Sequence, residues 1–121
     1  MLILEIAGRE YPVELYDNPT AKDLAASLPQ TIDMSRWGGE YYGRLAAPAA
    51  AKGEMRDTFV VGEVALWPPG NAFCIFFGPT PASDGDEPKM ASPGVPLGRI
   101  TGDATPLDKL GPSVKATLRR A

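Results

Sequence analysis

The residues that could do chemistry are few. Arginine is the side chain to consider first, because it can aim fixed N–H donors at a polarised oxygen. Arg44 directly follows Tyr41-Tyr42-Gly43, and Arg36 and Arg99 are further candidates. Twisting a prolyl amide meets a barrier of ~18–20 kcal/mol. A donor held against that amide in a dry pocket is one way to lower it. Aromatics cluster in the middle of the chain, as Trp37, Tyr41, Tyr42, Trp67, Phe73, Phe76 and Phe77. Most such residues belong to a core, but Trp and Tyr also offer a flat face with a polar tip. Trp37, Tyr42, Trp67, Phe73 and Phe76 are therefore the expected lining of a groove for a small apolar or proline-containing ligand.

The remaining reactive groups point to less. The chain has no histidine and one cysteine, Cys74. Ser-His and Cys-His pairs, imidazole metal sites and the commonest general base are thereby excluded. Cys74 lies in an apolar run, where a thiol behaves as a small hydrophobe. Glu40 and Glu63 stand alone and read as capping or surface carboxylates, with a raised-pKa acid as the alternative. Asp84, Asp86 and Glu87 flank Gly85 without the full spacing of a calcium loop, so a solvated acidic loop is expected and no metal site. The glycines mark turns and form no phosphate-binding pattern, and no cofactor is expected.

Composition narrows the partners. Lys and Arg number 12 against 15 Asp and Glu, a net charge of −3, with no basic cluster beyond Arg119-Arg120. Nucleic-acid binding needs a concentrated positive face, so it is not expected. No stretch approaches the roughly 20 apolar residues of a membrane span. Met1 to Glu5 has neither the basic lead nor the apolar segment of a signal peptide and reads as a first strand. A lone cysteine suits a reducing, cytoplasmic setting. Nothing in the sequence specifies an oligomeric state.

The elements that must position these residues are short. The 121 residues suit one domain over 1–121, and 13 Gly with 13 Pro, scattered, suit many short strands joined by tight turns. Leu2–Ala7 and Tyr11–Tyr16 form a hairpin across Gly8-Arg9-Glu10. Pro12 places the second strand at an edge, or turns its missing amide outward. Asn18 can cap a helix with Pro19 at its first position, or Thr20 can cap with Asp23 as the reciprocal acid. Ala21, Leu24, Ala25 and Leu28 then share a face until Pro29 stops it. Gly38-Gly39 is a turn or bulge before a short aromatic strand. Residues 46–53 are a loop. Residues 62–67 are a strand, and 72–77 are a strand buried on both faces. Gly78–Gly94, holding Pro79, Pro81, Pro88 and Pro93, is a long loop of the kind that is often functional. Residues 95–100 form a strand, 107–110 a helical turn, and 114–119 a terminal strand.

Four stretches together resemble the cyclophilin-like domain family of small bacterial and archaeal proteins. They are Asp17-Asn18-Pro19-Thr20-Ala21 leading to Leu28-Pro29; Trp37-Gly38-Gly39-Glu40-Tyr41-Tyr42; Gly62-Glu63-Val64 to Trp67-Pro68-Pro69-Gly70; and Cys74-Ile75-Phe76-Phe77-Gly78-Pro79-Thr80-Pro81. The resemblance implies a mainly β protein, a closed barrel of about eight strands with one principal helix, related in fold to the peptidyl-prolyl isomerases. A fainter likeness to the isomerases themselves runs through Gly70–Ile75 and Leu97-Gly98-Arg99-Ile100. It implies a catalytic arginine, for which Arg44 matches by order along the chain. Phe73 stands where those enzymes carry a glutamine, and their pocket histidine is absent. The expected function is thus a non-catalytic or weakly catalytic binding domain. The alternatives are an arginine-dependent prolyl isomerase and an enzyme of another class on the same barrel.

Overall fold

In the computed structural model, which describes residues 1–121, chain order is β1 (Leu2–Ile6), β2 (Arg9–Leu15), α1 (Pro19–Ala26), β3 (Gln30–Trp37), β4 (Glu40–Arg44), β5 (Arg56–Thr58), β6 (Glu63–Trp67), β7 (Ala72–Phe76), β8 (Lys89–Ile100) and β9 (Ser113–Arg120). Short 3-10 turns occupy Pro68–Gly70 and Thr105–Lys109. The pairing runs β2-β1-β9-β3-β4-β7-β6-β8, and β2 pairs with β8, so eight strands close into a ring with β5 added outside β8. Closure leaves no free edge among the eight. No helix is long and apolar enough to cross a membrane.

Local chemistry explains most of these elements. β1 and β2 meet in a two-residue turn at Ala7-Gly8, both with positive φ (52° and 77°), the backbone that matches a right-twisted hairpin. The turn is tighter than the expected Gly8–Glu10. β2 is not an edge strand. Pro12 lies opposite Ile3, one residue before pairing with β8 begins at Val13, so its missing amide takes nothing from that ladder. Asn18 caps α1, its Oδ1 accepting from the Ala21 amide at 2.8 Å with Pro19 at the first helical position. Gly38-Gly39 turns β3 into β4. A side chain at Gly39 would collide with the Gly78 backbone, 2.2 Å from an ideal Cβ, so only glycine lets these segments touch.

Three elements go beyond expectation. β3 occupies Gln30–Trp37, where no strand was expected, and β8 begins at Lys89, inside the stretch expected to be loop. β5 is also additional.

The main core fills the ring with 24 buried side chains, among them Leu2, Leu4, Leu24, Tyr41, Phe73, Ile75, Leu97 and Leu118. A second, smaller cluster lies on the outside of β6 and β7: Phe59, Ala65, Ala72, Cys74, Phe76 and Met90, with Trp67 packed against it. Alternate residues of β7 therefore enter different clusters, and the whole strand is buried. Phe59 stacks on Phe76 with ring centroids 4.7 Å apart.

Candidate functional site

The same alternation that divides β7 positions a site on its outer face. Glu40 lies opposite Phe76, Tyr42 opposite Cys74 and Arg44 opposite Ala72; on the far side of β7, Ala65 lies opposite Cys74 and Trp67 opposite Ala72. Glu40, Tyr42, Cys74, Phe76 and Trp67 thus share one face. The start of β8 brings Met90 and Ala91 over it, and the end of β3 contributes Trp37. Together Trp37, Glu40, Tyr42, Trp67, Met90 and Ala91 line an open, largely apolar hollow of about 210 Å³. Tyr42 is 39% exposed. The Trp67 indole is held by its Nε1, which donates to Ser92 Oγ at 2.8 Å.

Glu40 is the unusual member. It is 4% exposed, and its Oε1 is buried without a hydrogen-bond partner. Buried polar atoms are nearly always paired, so an orphan carboxylate oxygen at an apolar hollow marks a place where a partner belongs. Burial pushes the carboxyl up to about 7, with the neighbouring Cys74 thiol acting in the opposite direction. Cys74 itself is buried, and burial followed by the Glu40 charge raises its thiol well above the ordinary value. A thiol in that state is a poor nucleophile.

The expected groove residues are only partly brought together. Trp37, Tyr42 and Trp67 line the hollow. Phe73 and Phe76 do not: both are fully buried, Phe73 in the main core and Phe76 beneath Phe59 in the outer cluster. Because β7 is covered on both sides, no side chain on it reaches solvent. Arg44 stands on the face of Glu40 and Tyr42 and is exposed, but it does not line the hollow.

Arg36 is engaged within the fold. It donates to the Gly38, Asp108 and Leu110 carbonyls and to the Asp108 carboxylate, and it lies over the Phe77 ring. Arg99 is exposed on β8, opposite Glu14 and Glu63. The hollow also contains residues that the sequence left out: Glu40, Met90 and Ala91. Glu40 alternates with Tyr42, which could have signalled a shared face. Met90 and Ala91 fell within the expected loop.

The expectation that Glu40 and Glu63 are capping or surface groups does not hold, since both are buried. Glu63 differs from Glu40 in being saturated: Arg56, Tyr16 Oη and the Val60 amide all donate to it. Burial would raise this carboxyl, but those donors outweigh it and hold it below the usual range. A larger polar hollow beside the network, about 350 Å³, includes Tyr16, Asn18, Lys52 and Arg56. The Asn18 amide there already donates to the Pro96 carbonyl at 2.8 Å. Asp84, Asp86 and Glu87 rim a third, wholly polar hollow, and Lys89 reaches Asp84 at 3.7 Å. No three acidic or cysteine side chains converge as a metal cluster would.

An eight-stranded ring with one capped helix defines a class of small β domains. The cyclophilin-like family model matches residues 1–119, and the chain belongs to that family. Its structure is similar to the solution structure of the hypothetical protein AF2241 from Archaeoglobus fulgidus. The TM-score is 0.83 at 32% identity, over 99% of this chain and 93% of that one. Among curated proteins none matches.

Proposed function

We propose that the protein is a binding domain that holds a small ligand with an apolar body in the Trp37–Tyr42–Trp67 hollow. The observation that carries this reading is the hollow itself: a largely apolar depression, open to solvent, on a face whose floor is already packed by its own buried cluster. Concave apolar sites with one or two polar groups are the usual form of small-molecule sites. At about 210 Å³ it is smaller than the ~300–1,000 Å³ typical of drug-sized ligands, which favours a fragment-sized occupant. A fold shared with prolyl isomerases is weak support for their reaction, because function resides in the site. With Arg44 outside the lining, the hollow has no arginine to polarise an amide.

Both tryptophans of the chain line the hollow, so their emission reports directly on occupancy. A panel of small cyclic alcohols, amines and acids should contain members that change the emission saturably and raise the melting temperature. Ala91→Phe, which puts a ring on an exposed lining position, should abolish both responses while the protein stays folded. If no panel member moves the emission, the reading is overturned.

A further inference from the structure

The chemistry of the hollow goes beyond an apolar body. Its three large walls are Trp37, Tyr42 and Trp67, and its one buried polar atom is the unpartnered Oε1 of Glu40. Aromatic side chains attract cations through the negative face of the ring. A carboxylate accepts hydrogen bonds and, when ionised, cannot donate them.

No cation of the protein serves this site. None of the six ion pairs involves Glu40, and neither Lys nor Arg lines the hollow. Elsewhere the fold does supply partners to a buried carboxylate. Glu63 is 3% exposed and receives Arg56, Tyr16 and a backbone amide. Glu40, equally buried, has only the Cys74 thiol beside it, a weak donor that is already directed at the Ala72 carbonyl, and no partner at Oε1. Leaving a buried acceptor unmatched costs stability, and a ligand N–H would recover that cost.

We propose that the ligand is a small organic ammonium ion, its N⁺–H donating to Glu40 and its hydrocarbon body held among Trp37, Tyr42 and Trp67. This rests on the reading of the hollow as a ligand site and specifies the ligand's class. Binding is a charge-assisted hydrogen bond: the proton stays on nitrogen and Glu40 is the carboxylate. An anionic ligand is disfavoured by that charge, and a neutral alcohol gains the hydrogen bond without the cation–π attraction.

The test uses three probes with one shared body: cyclohexylmethylamine, cyclohexylmethanol and cyclohexanecarboxylate. They are titrated into the full chain and into Glu40→Gln while tryptophan emission is read, with unfolding curves to establish that the variant is folded. The amine should bind wild type roughly tenfold or more tighter than the alcohol, the carboxylate weakest. Glu40→Gln should remove most of the amine's advantage, leaving only the part owed to the aromatic walls, and leave the alcohol's affinity nearly unchanged. If alcohol and amine bind alike, or Glu40→Gln keeps the preference undiminished, the ammonium assignment fails and the site reading stands. If the amine, alcohol and acid all leave the emission unchanged while other fragments alter it, the ammonium assignment fails alone. If no fragment of any kind alters it, the site reading fails with it.

Discussion

Arg56 grips Glu63 with two guanidinium nitrogens, at 3.1 Å to Oε1 and 2.6 Å to Oε2, and the same guanidinium lies 4.5 Å from the Phe59 ring centre. This joins β5 to the first residue of β6 and positions Phe59 over the outer cluster. The ion pair thus ties the added strand β5 to the ring and holds the Phe59 cover beside Phe76 of β7.

Arg56→Met should destabilise the protein, because it leaves a carboxylate that is 3% exposed without its cation. Loss of one partner of a fully buried pair costs ~3–5 kcal/mol. Since Arg56 is itself 43% exposed, about 1–3 kcal/mol is expected here. Urea unfolding at neutral pH measures it. Glu63 has a depressed folded pKa, so its contribution is present above the unfolded value near 4.5 and fades as pH falls through the folded one. The gap between wild type and Arg56→Met should therefore narrow in acid. A gap independent of pH would contradict the role given to the pair.

Glu40 has the opposite sign. Its pKa rises from 4.5 unfolded to about 7 folded, so the unfolded chain gives up the proton first as pH increases. Stability from this group is intact below about pH 4.5 and declines until pH passes 7, by about 3 kcal/mol in all. Glu40→Gln lacks that decline. The difference in unfolding free energy between Glu40→Gln and wild type should therefore grow in the variant's favour from acid to neutral pH. Parallel pH profiles would refute the shift.

Tyr42 and Phe76 should separate site from core. Phe76→Ala removes a fully buried ring stacked on Phe59 and should cost about 3–5 kcal/mol in unfolding free energy. Tyr42→Ala, at a position 39% exposed, should cost far less stability yet weaken ligand-induced changes in tryptophan emission. Equal destabilisation by the two would show that Tyr42 is part of the packing.

Arg44→Ala should change unfolding free energy by no more than about 0.5 kcal/mol, as for an exposed side chain away from any network. A proline-peptide isomerisation assay should give the same rate with either protein as with none. Acceleration by wild type that the variant loses would restore the isomerase reading.

How much was legible in the sequence follows the range of the interactions. Turn chemistry and capping act over a few residues, so the Gly8 hairpin, the Asn18-Pro19 helix start and the Gly38-Gly39 turn could be read directly. So could the double burial of β7, since an uninterrupted apolar run leaves few other environments. β3 carried a readable signal, with Gln30, Ile32 and Met34 buried and Thr31, Asp33 and Ser35 exposed. Its mixed composition, after a proline, resembles loop. The first half of β8, Lys-Met-Ala-Ser-Pro-Gly, has little strand propensity and is extended because β5 pairs with it.

The sequence by itself determined the mainly β architecture, the single helix, the absence of imidazole chemistry and the supply of aromatic side chains in the middle of the chain. The tertiary structure alone decided which aromatics face solvent. Phe73, Phe76 and Tyr42 are alike in local signal, but ring closure and the cover of Phe59 and Met90 bury the two phenylalanines and leave the tyrosine at a rim. It also decided the fates of two similar glutamates. Glu63 lies within reach of Arg56, and Glu40 lies at an aromatic hollow with none. Burial and partnership arise from residues distant in the chain, and no local pattern encodes that distance.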